Sequence, residues 1–187
     1  MGKGAGHERR RWSLEPVADE FSVWTPKGLA AVIDTSVFVA ARLSKSAQPA
    51  PPREIIRAAG AAYDSFTSLA ILGEVERVLA RPKFNYAVGE TRLWLDPFIR
   101  RSRQVSDRDI PGNYAGALRD DEKDNPVLKT ALAVNIHEEG QRAISAATQS
   151  YGCFIVSLDN DFQPGRNVWG WTFIRPIAFW GMLRAID

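Results

Sequence analysis

The chain has 187 residues, enough for one domain with a sizeable core and too few for two comfortable ones. Its 45% hydrophobic and 25% charged content is that of an ordinary globular protein, and Lys+Arg 24 against Asp+Glu 22 leaves no global field to announce a nucleic-acid partner. The single cysteine, Cys153, excludes an internal disulfide and suits a reducing compartment; with Phe154, Ile155 and Val156 behind it, it reads as a buried position.

Residues 1–28 are punctuated by Gly, Arg and Pro and read as a flexible arm before a single domain over 29–187. The opening MGKGAGHERRRW is basic with no apolar stretch behind it, so it does not read as a secretory signal, and Gly6 stands where myristoylation needs Ser or Thr. No apolar run approaches the ~18 residues of a membrane span, and a cytoplasmic protein without a membrane partner is expected.

Residues 30–33 form a short apolar run that reads as a strand, with Asp34, Thr35 and Ser36 at its end and a helix over 37–44. A Pro-rich loop at 48–52, a short helix at 53–62 and a strand at 63–67 follow. Ser68 is placed to cap a helix to about Ala80, stopped by Arg81 and Pro82. Glu74 falls on one border of its apolar stripe, Glu76 on the other.

A helix over 91–103, interrupted at Pro97, ends in Arg100, Arg101 and Arg103, and a loop spans 107–116. Asp124 or Asn125 caps the next helix, with Pro126 in its first turn. Residues 137–151 are polar and helix-compatible, broken by Gly140. The apolar strand 153–156 runs into Ser157, Asp159 and Asp161. A turn at 165–170, a strand at 171–175 and a Pro-opened helix close the chain. Strands alternating with helices imply an α/β fold with a mainly parallel sheet.

In such a sheet the ends of strands 30–33 and 153–156 share one edge, and helix starts lie there too. Asp34, Asp124, Asp159 and Asp161 therefore meet, with Glu74 joining from its helix. That many carboxylates require a compensating cation. Oxygen donors without Cys or His select Mg²⁺ or Mn²⁺ over Zn²⁺. The chemistry such a site suits is metal-assisted hydrolysis of a phosphodiester.

The motifs VIDTSVFVAA (32–41), SLAILGEVERVLARPKF (68–84), DEKDNPVLKTALA (121–133) and IVSLDNDF (155–162), with the tail WTFIRPIAFWGML, resemble the PIN-domain nucleases. Within them the second motif resembles the VapC-like toxins of type II toxin–antitoxin pairs. The resemblance covers about 30–187. It implies a three-layer α/β/α fold with four to five central strands. It also implies an Mg²⁺- or Mn²⁺-dependent endoribonuclease, held inactive by a cognate antitoxin protein and homodimeric.

By this resemblance Asp34, Glu74, Asp124 and Asp159 bind the metal and are catalytic, Asp161 completes or supports the shell, and Asp121 is an accessory acid. Ser36 and Ser157 occupy positions of orienting polar residues. Three departures stand out. Ser36 replaces an Asn and is expected to reach the acid only through water. Leu158 replaces a Gly and makes its turn bulkier. The link 135–151 is longer, extending a helix or adding a hairpin beside the active edge.

An RNA substrate needs cations near the acids; Arg81, Lys83, Arg100, Arg101 and Arg103 are the candidates, with Trp169 or Trp171 to stack on a base. A non-cleaving RNA- or protein-binding module on the same fold is the alternative. An Asp-nucleophile phosphatase is not supported, because Ser36 stands where that class needs a second Asp.

Overall fold

The computed structural model describes residues 27–45, 50–106 and 125–186. Strand β1 (Leu29–Ile33) is buried at every position, as expected of a strand covered on both faces. It pairs in parallel with β2 (Asp64–Thr67) on one side and β4 (Gly152–Val156) on the other. Two-residue β3 (Arg103–Gln104) extends the sheet beyond β2. β6 (Trp171–Ile174) lies parallel to β4 and carries antiparallel β5 (Asn167–Val168) at its edge. The order is β3-β2-β1-β4-β6-β5. Four strands of four or five residues form the body, as the sequence implies; the two added edge pieces are too short to carry a period-two pattern.

Helix α1 (Thr35–Leu43) starts directly after Asp34, two residues earlier than the apolar run suggests. α2 (Pro51–Ala58) likewise begins inside the expected Pro-rich loop, since Pro suits a first helical turn. α3 (Leu69–Leu79) is capped by Ser68, whose Oγ accepts from the Ile71 amide at 3.4 Å. α4 (Val88–Arg101) passes through Pro97 without breaking. The carbonyl that Pro97 leaves unpaired belongs to Leu93, a residue 78% exposed, so water can satisfy it.

α5 (Pro126–Ile136) is capped by Asn125, whose Oδ1 accepts from the amides of Val127 at 3.0 Å and Leu128 at 3.3 Å. α6 (Glu138–Thr148) occupies the long link and runs through Gly140. Its buried Ala143 and Ala147 pack it on β1 and β4. It ends at the amino edge of the sheet, where the Tyr151 amide donates to Gly28 O at 3.0 Å. The link is therefore a covering helix. α7 (Pro176–Ile186) packs on α2 from the opposite face, and its Phe179 lies edge-on to Tyr63, just before β2, at 5.3 Å.

The arm expected over 1–28 lies outside the described residues except for its last two, as does the loop expected at 107–116. Among the described residues no helix is long and apolar enough to cross a membrane. Cys153 is buried in β4, and burial pushes its thiol up to about 11, consistent with a packing role.

Gly140 marks the tightest helix contact: a Cβ there would lie 2.0 Å from the Val134 carbonyl oxygen, whereas one at Gly181 in α7 would meet nothing within 4 Å. Gly140→Ala should therefore lower unfolding stability in urea by about 1–3 kcal/mol. Gly181→Ala should raise it by up to ~1 kcal/mol, the helix-propensity difference.

Candidate metal centre

The strand order reverses at β1. From it the chain builds outward to β2 and β3 on one side, then to β4 and β6 on the other. Carboxyl ends of strands at such a switch point border a crevice that no crossover covers. Asp34 leaves β1 at that point. The register pairs Ile33 with Val156, so Asp34 and Ser157 emerge side by side, and the Asp34 amide donates to Val156 O at 3.0 Å.

Asp34 is 7% exposed. Its Oδ2 accepts from the Ser36 hydroxyl at 2.5 Å and from the Ser157 hydroxyl at 2.6 Å. Ser36 thus reaches the acid directly, not through water, because the first turn of α1 folds its side chain back over the strand end. Ser36 Oγ also accepts from the Leu158 amide at 3.0 Å, and Ser157 Oγ from the Asp159 amide at 2.9 Å. The two serines therefore tie the β1 and β4 ends into one unit. Leu158 is 42% exposed, so its bulk points away and the turn accommodates it.

Glu74 stands in the second turn of α3, half-buried, and its Oε2 accepts from the Thr35 hydroxyl at 2.9 Å. Glu76, two residues on and facing elsewhere, is held by Arg92 at 2.6 and 3.2 Å. The contrast is informative. Glu76 has its cation, while neither Asp34 nor Glu74 forms an ion pair among the described residues. Burial raises the Asp34 pKa above its ordinary value; the two serine hydroxyls oppose the shift and the charge of Glu74 adds to it.

Asp159 and Asp161 lie on the exposed turn after β4, where Asp159 Oδ1 accepts from the Asp161 amide at 3.0 Å. The sequence did not single out Arg175, at the carboxyl end of β6. Its guanidinium donates to the carbonyls of Asp159 at 2.8 Å and Ser157 at 3.4 Å and to Asn160 Oδ1 at 3.2 Å. It clamps the turn that carries Asp159. Its one sequence signal is position: an Arg directly after the last strand, at the edge where the acids emerge. Thr35, which the sequence shows only as a hydroxyl at the strand end, gains its role from a partner 39 residues away.

Asp124 and Asp121 lie outside the described residues. The helix that follows them does reach this edge: Thr130 of α5 donates to Ser68 Oγ, at the start of α3, at 2.7 Å. Among the described residues no three acids gather closely enough to hold an ion by themselves. The donor chemistry nevertheless fits a hard divalent cation, because Asp34 and Glu74 are neighbouring carboxylates without a cationic partner among the described residues.

The cations named from the sequence do not join the acids. Among the described residues none of the five bonds to Asp34, Glu74 or Asp159. Arg81 and Lys83 follow α3, whose 11 residues carry them about 16 Å from its start; Lys83 stacks on Phe84 at 4.6 Å. Arg100 pairs with Asp96 at 2.8 Å. Arg101 donates to the carbonyls of Pro97 at 2.8 Å and Arg57 at 2.9 Å. Arg103 opens β3 beside Phe66.

Trp171 cannot stack on a base: it is fully buried, and its Nε1 donates to Asn135 Oδ1 at 2.8 Å. Trp169 sits in the turn before β6, at the amino edge, with its carbonyl accepting from Asn135 Nδ2 at 3.1 Å. Both tryptophans were drawn to the Asp159 loop by sequence proximity alone.

A PIN-domain family model matches residues 30–137, more than half of the chain. No curated protein matches significantly. Among solved structures, the chain is similar to one in the crystal structure of VapBC2 from Rickettsia felis bound to a DNA fragment from their promoter. That alignment has 15% sequence identity and a TM-score of 0.44, covering 78% of this chain and 98% of that one.

Because folded Asp34 keeps its proton to higher pH than unfolded Asp does, the folded state binds more protons over that interval and loses stability as pH rises through it. In EDTA, Asp34→Asn should therefore be more stable than the parent at neutral pH. The difference in melting temperature should grow as pH rises from the ordinary Asp value of 3.8 and then level off. A difference independent of pH would contradict the burial of this charge. The family match and the four-strand parallel body agree, and this chain belongs to the PIN-domain family.

Proposed function

We propose that the chain is an Mg²⁺- or Mn²⁺-dependent endoribonuclease, and that it is the toxin of a toxin–antitoxin pair working in the cytoplasm. One observation carries the nuclease reading: Asp34 and Glu74 stand together at the sheet's switch point, held by hydroxyls and, among the described residues, by no cation. Carboxylates kept in that state are ligands awaiting a positive charge. Asp34 and Glu74 hold the ion, with Asp124, Asp159, Asp161 and accessory Asp121 assigned to it by resemblance.

A bound divalent ion supplies Lewis acidity toward a phosphate oxygen and lowers the pKa of a water. The chain's own residues do the rest. Ser36 and Ser157 fix the orientation of Asp34, Thr35 fixes Glu74, and Arg175 holds the Asp159 turn in place. Arg81, Lys83, Arg100, Arg101 and Arg103 remain proposals for contacts to RNA farther from the cut, where phosphate contacts position the strand without reading sequence.

The toxin assignment rests on the α3 motif and its ARPKF end; an antitoxin partner and a homodimer are proposed with it. A second reading, a PIN-fold module that binds RNA without cutting, draws on the absence of a three-acid cluster among the described residues.

Purified protein should cleave a mixed RNA pool with Mg²⁺ or Mn²⁺ and not with EDTA. Asp34→Asn and Glu74→Gln should each reduce the rate by about 100-fold or more, several kcal/mol of lost charge stabilisation. RNA binding without cleavage at any divalent concentration would favour the module. Expression should arrest growth only with the acids intact; harmless expression of a cleaving enzyme would remove the toxin assignment alone.

A further inference from the structure

The geometry points to a second binding site, for a nucleotide carrying two or more negative charges, in the cavity between α1, α2 and α4. This cavity has a volume of about 450 Å³ and is lined by Arg42 of α1, Arg53 and Arg57 of α2, and Arg101 and Trp94 of α4. No acid lines it. Four guanidiniums from three helices converge on one space, whereas the carboxylates that pair with Arg42 and Arg57, Glu90 and Glu54, stand outside the lining.

Several of these guanidiniums are already oriented and hold unused donors. Arg42 is stacked over the rings of Tyr86 at 4.5 Å and Trp94 at 5.6 Å, and its buried Nε has no hydrogen-bond partner among the described residues. Arg101 spends Nε and Nη1 on the Pro97 and Arg57 carbonyls, which leaves Nη2. Arg57 spends only Nη1, on Glu54 at 3.3 Å, and is 69% exposed. Side chains pinned beforehand lose little entropy on binding. An anion with several oxygens can take the donors that Arg57 and Arg101 leave unused.

Size and shape narrow the ligand. The planar guanidinium fork matches phosphate oxygens in pairs. The volume falls in the range of small-molecule pockets, roughly 300–1,000 Å³, and is far too large for phosphate alone. Trp94 supplies an aromatic wall on which a base can stack. Ala41 and Arg42 lie about 10 Å along α1 from Asp34, and the sign of the charge is opposite. The site is therefore separate from the acidic edge and does not depend on the nuclease reading.

Isothermal titration of the full chain in EDTA with ADP, pyrophosphate, adenosine and a poly-glutamate peptide tests it. ADP should bind saturably at one site per chain, pyrophosphate more weakly, and adenosine not measurably. Arg57→Gln and Arg101→Gln should each weaken ADP about tenfold, a loss of one charge-assisted contact. Trp94→Ala should weaken ADP more than it weakens pyrophosphate, and Asp34→Asn should change nothing. Arg57→Gln carries the test if another variant misfolds, because its side chain is largely in solvent. The proposal is overturned if ADP shows no saturable heat at millimolar concentration, if Asp34→Asn abolishes binding, or if only the acidic peptide binds.

Discussion

The parallel register between β1 and β4 sets Asp34 beside Ser157, and the rest of the acidic edge depends on that one alignment. A shift by one residue would turn Asp34 out of the crevice and break its bond to Ser157. The same register lets Ser36 and Ser157 receive the Leu158 and Asp159 amides, so the two strand ends act as one piece. α3 then adds Glu74 through Thr35, and β6 adds Arg175 through the Asp159 turn. Hydroxyls and backbone groups join the side chains that these elements contribute.

Hydroxyls are a telling choice of partner. An arginine would neutralise Asp34 permanently and occupy the space where a ligand must stand; a serine fixes the carboxylate's direction and leaves its charge uncompensated. Glu76 shows the other outcome on the same helix, with Arg92 closing off both of its oxygens. The chain thus keeps one acid silent and its near neighbour available. It makes the reverse arrangement toward the other end of α1, where arginines surround a cavity and the acids that pair with them stand outside its lining.

Much of this was legible in the residues. A strand buried on both faces shows as an unbroken apolar run, and β1 and β4 were found that way. Ser68 and Asn125 announced their helices because capping is a local matter of side chain and nearby amide. Asp34 and Glu74 were marked by their places at a strand end and a stripe border. What escaped was non-local. Whether Ser36 reaches Asp34 depends on the first turn of α1, the role of Arg175 depends on where β6 lies, and the indole N–H of buried Trp171 finds its partner 36 residues away at Asn135. Gly140 misled for a related reason. Glycine reads as a helix breaker, yet here it admits the Val134 carbonyl and lets α6 lie close to α5.

The central claim is that the uncompensated acids at the switch point are a divalent-ion site. Electron paramagnetic resonance of Mn²⁺ titrated into the purified, EDTA-stripped chain reads this without any substrate. The account predicts saturable loss of the free Mn²⁺ signal with the parent protein, and about tenfold or greater weakening in Asp34→Asn, since losing a ligand costs at least as much as losing a ligand's supporting partner. Equal Mn²⁺ binding by the two proteins, or none by the parent, would contradict it.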